Sequence, residues 1–225
     1  VTNPKNRVEA VVFDMDGVLI DSEVVWRQVR EDYAAEIGQV WTNADQMDLL
    51  GRSTPDWSER MRRRLQLNHM TADALAQEII GRVLIAFNQG VPQRPGAARA
   101  LETLSAHYPL ALASGSPREL MECAMQQTGF ARYFQSLLCG DDVQCGKPNP
   151  EIYLRTLDRL GVKAHQAAGI EDAPNGIRAL RAAGMSVVAA PCPEFPLDAD
   201  VLALADVQIA SLEQLTPQLL ELIRR

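Results

Sequence analysis

The chain has 225 residues, 47% of them hydrophobic, and a formal charge of −7 at pH 7. That is enough to bury one sizeable core and a smaller accessory one, in one or two domains. The negative charge is spread without a basic block, which excludes a general nucleic-acid or membrane-surface role and requires any anionic ligand to be held locally.

At the start of the chain, Asn3 to Arg7 precede the first apolar run, where a signal peptide would need hydrophobic residues. Cys123, Cys139, Cys145 and Cys192 form no Cys-x-x-Cys pair, so a reduced, cytoplasmic protein is expected. No stretch approaches the roughly 18 uninterrupted apolar residues of a membrane span.

The run Val8 to Asp14 reads as a buried strand that ends in Asp14-Met15-Asp16-Gly17. Strand side chains alternate faces, so Asp14 and Asp16 point the same way if the strand persists, and Gly17 permits a sharp turn just beyond. Two like charges this close call for a cation, and hard oxygen ligands without a neighbouring Cys or His favour Mg²⁺ over Zn²⁺. An EF-hand loop with Gly17 at its sixth position would put Val12 at its first, where an Asp is needed. The β-branched and aromatic run before it is also a strand pattern, not an entering helix, so the calcium reading fails.

From about Asp21 to Val91 the pattern turns helical with no clear strand, with Thr54-Pro55 as an expected cap and first turn and Thr71 as another cap. The expected division is residues 1–20 and 93–225 as an α/β core and 21–92 as an inserted helical cap. Both linkers of the insertion lie beside the proposed metal site, which suits a lid. The run Arg60-Met61-Arg62-Arg63-Arg64 reads as a solvated helix face, since no aromatic ladder accompanies it. His69, His107 and His165 have no metal-ligand spacing.

Further strands are expected at Leu110 to Ala113, Ser136 to Cys139, Ala167 to Ile170, Ser186 to Ala190 and Val207 to Ile209, alternating with helical patterns as in a parallel, Rossmann-like sheet. After the first of these comes Ser114-Gly115-Ser116-Pro117-Arg118-Glu119. Ser116 and Glu119 fit a capping box with Pro117 at the first helical position, leaving the Ser114 hydroxyl and nearby amides at a helix start, where phosphate oxygens are favoured. Cys145-Gly146-Lys147-Pro148-Asn149-Pro150 places one lysine in a Pro-rich turn before a helix capped by Asn149. Its ammonium could neutralise both an aspartate and an incoming phosphoryl group. Ala167 to Ile170 runs into Glu171-Asp172, again acids at a strand end. In open α/β sheets ligands gather beyond the carboxyl ends of the strands, so Asp14, Asp16, Ser114, Lys147, Glu171 and Asp172 are expected to share one crevice.

In that order and spacing, Asp14-Met15-Asp16-Gly17-Val18, Ser114, Gly146-Lys147-Pro148 and Glu171-Asp172 resemble the four signature motifs of the haloacid dehalogenase superfamily, across nearly the whole chain. The insertion resembles the small α-helical cap of its β-phosphoglucomutases and its sugar-phosphate and phosphoglycolate phosphatases. The resemblance implies that Asp14 attacks phosphorus to form an aspartyl-phosphate and that Asp16 is general acid and then base. It implies Mg²⁺ held by Asp14, the backbone carbonyl of Asp16, and Asp172, with Glu171 in or near the shell, while Ser114, Gly115 and Lys147 bind the phosphoryl oxygens. Dehalogenases of the superfamily lack the second aspartate, P-type ATPases carry Lys-Thr-Gly after the nucleophile, and phosphonate-cleaving members replace the second Asp by a small residue, so phosphate-ester chemistry remains.

β-Phosphoglucomutases carry a histidine where this chain has Trp26. Asp21 to Trp26 is instead similar to sugar phosphatases of the 2-deoxyglucose-6-phosphate type. Trp26 cannot relay a proton, but it can stack on a sugar face or pack within the cap. Leu50-Gly51-Arg52-Ser53 resembles a cap loop that reaches over the substrate, where Arg52 contacts a sugar hydroxyl or second phosphate, or else lies on the surface. The expectation is a monomeric Mg²⁺-dependent phosphatase of a small phosphorylated metabolite, a sugar phosphate, with no nucleic-acid or membrane partner. A mutase and a non-catalytic phosphosugar sensor are the alternatives.

Overall fold

The computed structural model describes residues 7–49, 51–192 and 196–223; Leu50 and the Asn3 to Asn6 part of the leader reading lie outside these. Six strands, β1 (Ala10–Phe13), β2 (Leu110–Ala113), β3 (Phe134–Leu138), β4 (Ala167–Glu171), β5 (Ser186–Ala189) and β6 (Val207–Gln208), form one sheet in the order β3-β2-β1-β4-β5-β6. Every pairing is parallel. The architecture is the α/β, Rossmann-like one expected, with small changes of boundary. β1 stops at Phe13: the Asp14 N–H still reaches the Ile170 carbonyl at 3.0 Å, but Gly17 at φ 77° turns the chain away. β3 begins two residues earlier than Ser136 and ends at Leu138.

Alternation along each strand feeds two apolar layers. Val11, Phe13, Leu112, Ile170 and Val188 pack on one face with buried residues of α5 (Ala97–Ser105) and α6 (Arg118–Thr128). Val12, Ala111, Leu138, Val187 and Ala189 pack on the other with α7 (Glu151–Leu160) and α8 (Pro174–Ala183). Both faces of β1, β2, β4 and β5 are covered, so these strands read as mostly apolar runs, whereas the edge strands β3 and β6 are only partly buried. Each fully buried large side chain contributes about 1.5–3 kcal/mol of transfer free energy. The strand order reverses at β1, and a crevice opens beyond the carboxyl ends of β1, β2 and β4.

Between β1 and α5 come four helices, α1 (Ser22–Glu36), α2 (Asn43–Leu49), α3 (Thr54–Arg64) and α4 (Ala72–Gln89), with no strand among the described residues. The two chain crossings run side by side: the Asp21 N–H donates to the Pro92 carbonyl at 2.8 Å and the Arg94 N–H to the Leu19 carbonyl at 2.9 Å. The Thr71 hydroxyl caps α4 by accepting from the Ala74 N–H at 3.1 Å. At α3 the expected cap is displaced by one residue. Ser53 occupies the cap position and Thr54 is already helical, because Pro55, lacking an N–H, suits the first turn. The arginines of α3 face acids: Arg60 meets Asp48 and Asp56, Arg62 and Arg63 meet Glu59, and Arg64 meets Asp45.

Candidate active site

Asp14, just past β1, is buried among charges. The Lys147 ammonium spends its three donors on Asp14 Oδ1 at 2.5 Å, Glu171 Oε1 at 2.7 Å and the Ala113 carbonyl at 3.0 Å. Burial pushes the Asp14 carboxyl well above its ordinary range; Lys147 opposes this, and Glu171 and Asp16 add to it. Burial alone would weaken the hold of Lys147 on its proton, but Asp14 and Glu171 outweigh it and keep the ammonium charged. The loop that delivers this lysine has a cis peptide at Lys147-Pro148, and Asn149 Oδ1 accepts from the Glu151 N–H at 3.0 Å at the start of α7.

Glu171, at the end of β4, is saturated by protein donors. Lys147 and the Tyr153 hydroxyl, at 2.8 Å, share Oε1, while the N–H groups of Asp172 and Ala173 reach Oε2 at 3.1 and 3.2 Å. Those four bonds use about all the lone pairs a carboxylate has. Space beside it exists only because residue 176 is glycine: a Cβ there would lie 1.7 Å from Glu171 Oε1. Tyr153 was not foreseen from sequence. On the apolar face of α7 it reads as core, and only its position four residues after Asn149 and six after Lys147 hints at more.

Asp16 Oδ2 accepts from the Ser116 hydroxyl at 2.7 Å and the Ser114 hydroxyl at 3.2 Å. Its Oδ1 is buried with no partner among the described residues. The expected capping box of Ser116 and Glu119 is therefore not formed. Ser116 turns to Asp16, α6 starts at Arg118 rather than Pro117, and the Arg118 N–H is capped from another loop by Asp141 Oδ2 at 2.9 Å. Ser114 Oγ also accepts from the Ser116 N–H at 3.0 Å, so this seryl turn is knitted around the second aspartate. Gly140 seats against it: its N–H donates to the Ser116 carbonyl at 2.9 Å, and a Cβ there would lie 2.6 Å from the Gly115 carbonyl oxygen.

Asp14, Glu171 and Asp172 each offer an oxygen within 4.8 Å of the others, a group able to hold a metal ion. Burial, then Glu171 and Asp14, push the Asp172 carboxyl well above its ordinary range. Such crowded, desolvated acids are what a hard divalent cation relieves, so the donor set fits one. Gly17 leaves room for Asp172, since a Cβ on it would lie 1.9 Å from Asp172 Oδ2. With Glu171 already filled, Asp172 and Asp14, whose Oδ1 keeps a lone pair besides the one that faces Lys147, are the side chains of this group able to take the ion.

These residues floor a cleft of about 620 Å³ whose other wall is the helical insertion, within the usual range for a small-molecule site. Asn175, from the core, donates to the Gly51 carbonyl at 3.0 Å across that cleft. Arg52 lines it but is tied to its own helices, with Nη1 2.8 Å from Asp56 and Nη2 3.2 Å from Asp48. Trp26 both packs and lines the cleft: it is 8% exposed and meets Trp57 edge-on, ring centroids 5.7 Å apart. Two cleft residues that the sequence did not single out are Glu23 and Arg30. Burial raises the Glu23 carboxyl although Arg30 opposes it, and burial lowers the Arg30 guanidinium to about 10 although Glu23 opposes that.

Among the described residues no helix is long and apolar enough to cross a membrane. Residues 8–184 match the model of the haloacid dehalogenase-like hydrolases. Over 212 residues the chain is 30% identical to hexitol phosphatase B of Escherichia coli, covering 93% of this chain and 95% of that one. It is 31% identical to the phosphorylated carbohydrates phosphatase of Thermotoga maritima, over 79% of this chain and 82% of that protein. The crystal structure of CbbY from Rhodobacter sphaeroides in complex with phosphate superposes with a TM-score of 0.80 at 26% identity, covering 92% and 96% of the two chains. A family match over most of the length, two phosphatase relatives and the shared fold agree with the acids at the sheet's carboxyl edge: the chain belongs to the haloacid dehalogenase-like hydrolase family.

Proposed function

We propose that this protein is a Mg²⁺-dependent phosphatase that hydrolyses small sugar or polyol phosphates through an aspartyl-phosphate on Asp14. The observation that carries the reading is the division of labour between two carboxylates two residues apart. Lys147 grips only Oδ1 of Asp14, leaving the other oxygen for attack on phosphorus. Asp16 keeps a buried Oδ1 with no partner among the described residues while two seryl hydroxyls fix its other oxygen.

In the first step the free oxygen of Asp14 bonds to phosphorus, the ester P–O bond breaks, and Asp16 gives its proton to the departing alkoxide. In the second, Asp16 takes a proton from water as the water oxygen attacks phosphorus, and the bond to Asp14 breaks to release inorganic phosphate. Lys147 and the Ser114 to Ser116 turn, with Gly115 at its centre, offer donors to the phosphoryl oxygens. Asp14 and Asp172, with the Asp16 backbone carbonyl, would hold Mg²⁺, and Glu171 would sit behind them, fixing Lys147. When bound, the cation supplies charge neutralisation to the phosphoryl oxygens. The helical insertion serves as the lid that excludes water from the cleft.

Hydrolysis is favoured over a mutase reaction by Trp26, which packs against Trp57 and has no proton to relay. The test is release of inorganic phosphate from a panel of sugar, polyol and glycolate phosphates. Release that needs Mg²⁺, stops with EDTA and is lost in Asp14→Asn is expected. Interconversion of hexose phosphates without net release would favour the mutase, and binding without turnover would favour a sensor.

A further inference from the structure

Arg30 is 4% exposed, yet it forms no hydrogen bond or ion pair with any described residue, and its Nε is buried without a partner. Its guanidinium carbon lies 4.9 Å from the Trp26 ring centroid and 5.3 Å from that of Trp57. Cation–π contact offsets about 1–2 kcal/mol of the burial, but it satisfies none of the five N–H donors. Glu23 offsets part of the charge without a hydrogen bond, and buried N–H donors left unbonded cost free energy, which is why buried arginines are otherwise found paired. Arg30 also lines the cleft floored by Asp14, Asp16, Lys147 and Asp172, so the hydrogen-bond acceptor it lacks is one that enters the cleft.

Glu23 lies seven residues earlier on α1, on the same helix face, and lines the same cleft. A relay holds it in place: the Trp41 indole N–H donates to Gln46 Oε1 at 3.0 Å, and Gln46 Nε2 donates to Glu23 Oε2 at 2.9 Å. Its other oxygen is not engaged by any described residue.

We infer that Arg30 and Glu23 form a hydroxyl-reading pair that recognises the polyol end of the substrate, the end that is not transferred. This rests on the phosphatase reading above and names the part of the substrate that the cleft selects. A cation alone would suit a second phosphate or a carboxylate. Here a carboxylate faces the same space, so a distal anion gains from Arg30 and is repelled by Glu23. A vicinal diol satisfies both, with its oxygens accepting from the guanidinium and its hydroxyl hydrogens donated to Glu23. The Trp26 and Trp57 rings beside the guanidinium offer apolar surface to the C–H face of the same carbon chain. A site built to bond hydroxyls discriminates strongly, because an ester lacking them leaves the buried groups unpaired.

The experiment compares kcat/KM for a hexitol 6-phosphate and for p-nitrophenyl phosphate, which has no hydroxyls, in the wild type, Arg30→Met, Arg30→Lys and Glu23→Gln. The expected result is a wild-type preference for the hexitol ester. Its ratio to the aryl ester should fall about 100-fold in Arg30→Met, mostly through KM, and about 10-fold in Arg30→Lys and Glu23→Gln. Equal loss on both esters would show a structural role and overturn the inference, as would an unchanged ratio or a wild type without that preference. Preference for a gluconate 6-phosphate that disappears in Arg30→Met would replace the hydroxyl reader by a carboxylate reader. If Asp14-dependent turnover of the aryl ester persists while the ratio stays fixed, only the Arg30 assignment fails. If the wild type hydrolyses neither ester, both readings fail.

Discussion

Gly17 and Asp172 occupy one another's space: a single methyl group on Gly17 would stand 1.9 Å from Asp172 Oδ2, on a backbone held at φ 77°. The turn that follows Asp14 and Asp16 thus sets where the acid just past β4 can stand. Gly17→Ala has to move Asp172 and strain a left-handed residue, at about 1–2 kcal/mol for the strain. The Mg²⁺ concentration for half-maximal phosphate release should rise at least ~10-fold, the scale seen when support around a ligand is lost. An unchanged Mg²⁺ titration would separate Asp172 from the metal.

Tyr153 positions the Lys147–Glu171 pair from behind, with its hydroxyl 2.8 Å from Glu171 Oε1 and its ring 4.9 Å below the ammonium. Tyr153→Phe keeps the ring and removes one charge-assisted bond, which should lower stability by about 1.5–3 kcal/mol. We expect kcat to fall more than KM rises, because Lys147 loses its fixed seat. Thermal unfolding and steady-state kinetics together check this, and a change in KM alone would contradict it.

The loop that seats Gly140 against the seryl turn is anchored by Asp142, which accepts from the Cys139 N–H at 2.9 Å and from Arg118 at 2.7 Å. Burial alone would raise this carboxyl, but those bonds outweigh it and hold it below its ordinary value of 3.8. A depressed folded-state pKa means stability that is fully present above the ordinary value and lost as pH falls through the folded one. Asp142→Asn should therefore cost about 1 kcal/mol near neutrality. The gap to wild type should close in acid, and denaturant titrations at a series of pH values read it out. A gap that widens in acid would reverse the assignment.

The centre of the sheet was legible because β1, β2, β4 and β5 are buried along their whole length, so period-two alternation gives way to mostly apolar runs such as Leu110 to Ala113. The site was legible for the same reason. Asp14, Ser114 and Glu171 each follow directly on such a run, and parallel strands put all those ends on one edge. What escaped was set by partners distant in sequence. Ser116 looked like a helix cap because its neighbours fit one, but Asp16, 100 residues earlier, holds its hydroxyl instead. Arg30 carries no signal in its own neighbourhood, because its burial depends in part on Trp57, brought to it from α3. Arg52 drew notice through its loop, whereas the acids that hold it lie four residues to either side.

The central claim is that phosphate passes through a covalent bond to Asp14. Acid quenching of the enzyme within the first turnovers of a radiolabelled sugar phosphate, followed by peptide mapping, tests it most directly. The account predicts a hydroxylamine-labile label on the peptide that contains Asp14, absent from Asp14→Asn. Rapid phosphate release with no labelled peptide, or full turnover by Asp14→Asn, would contradict it.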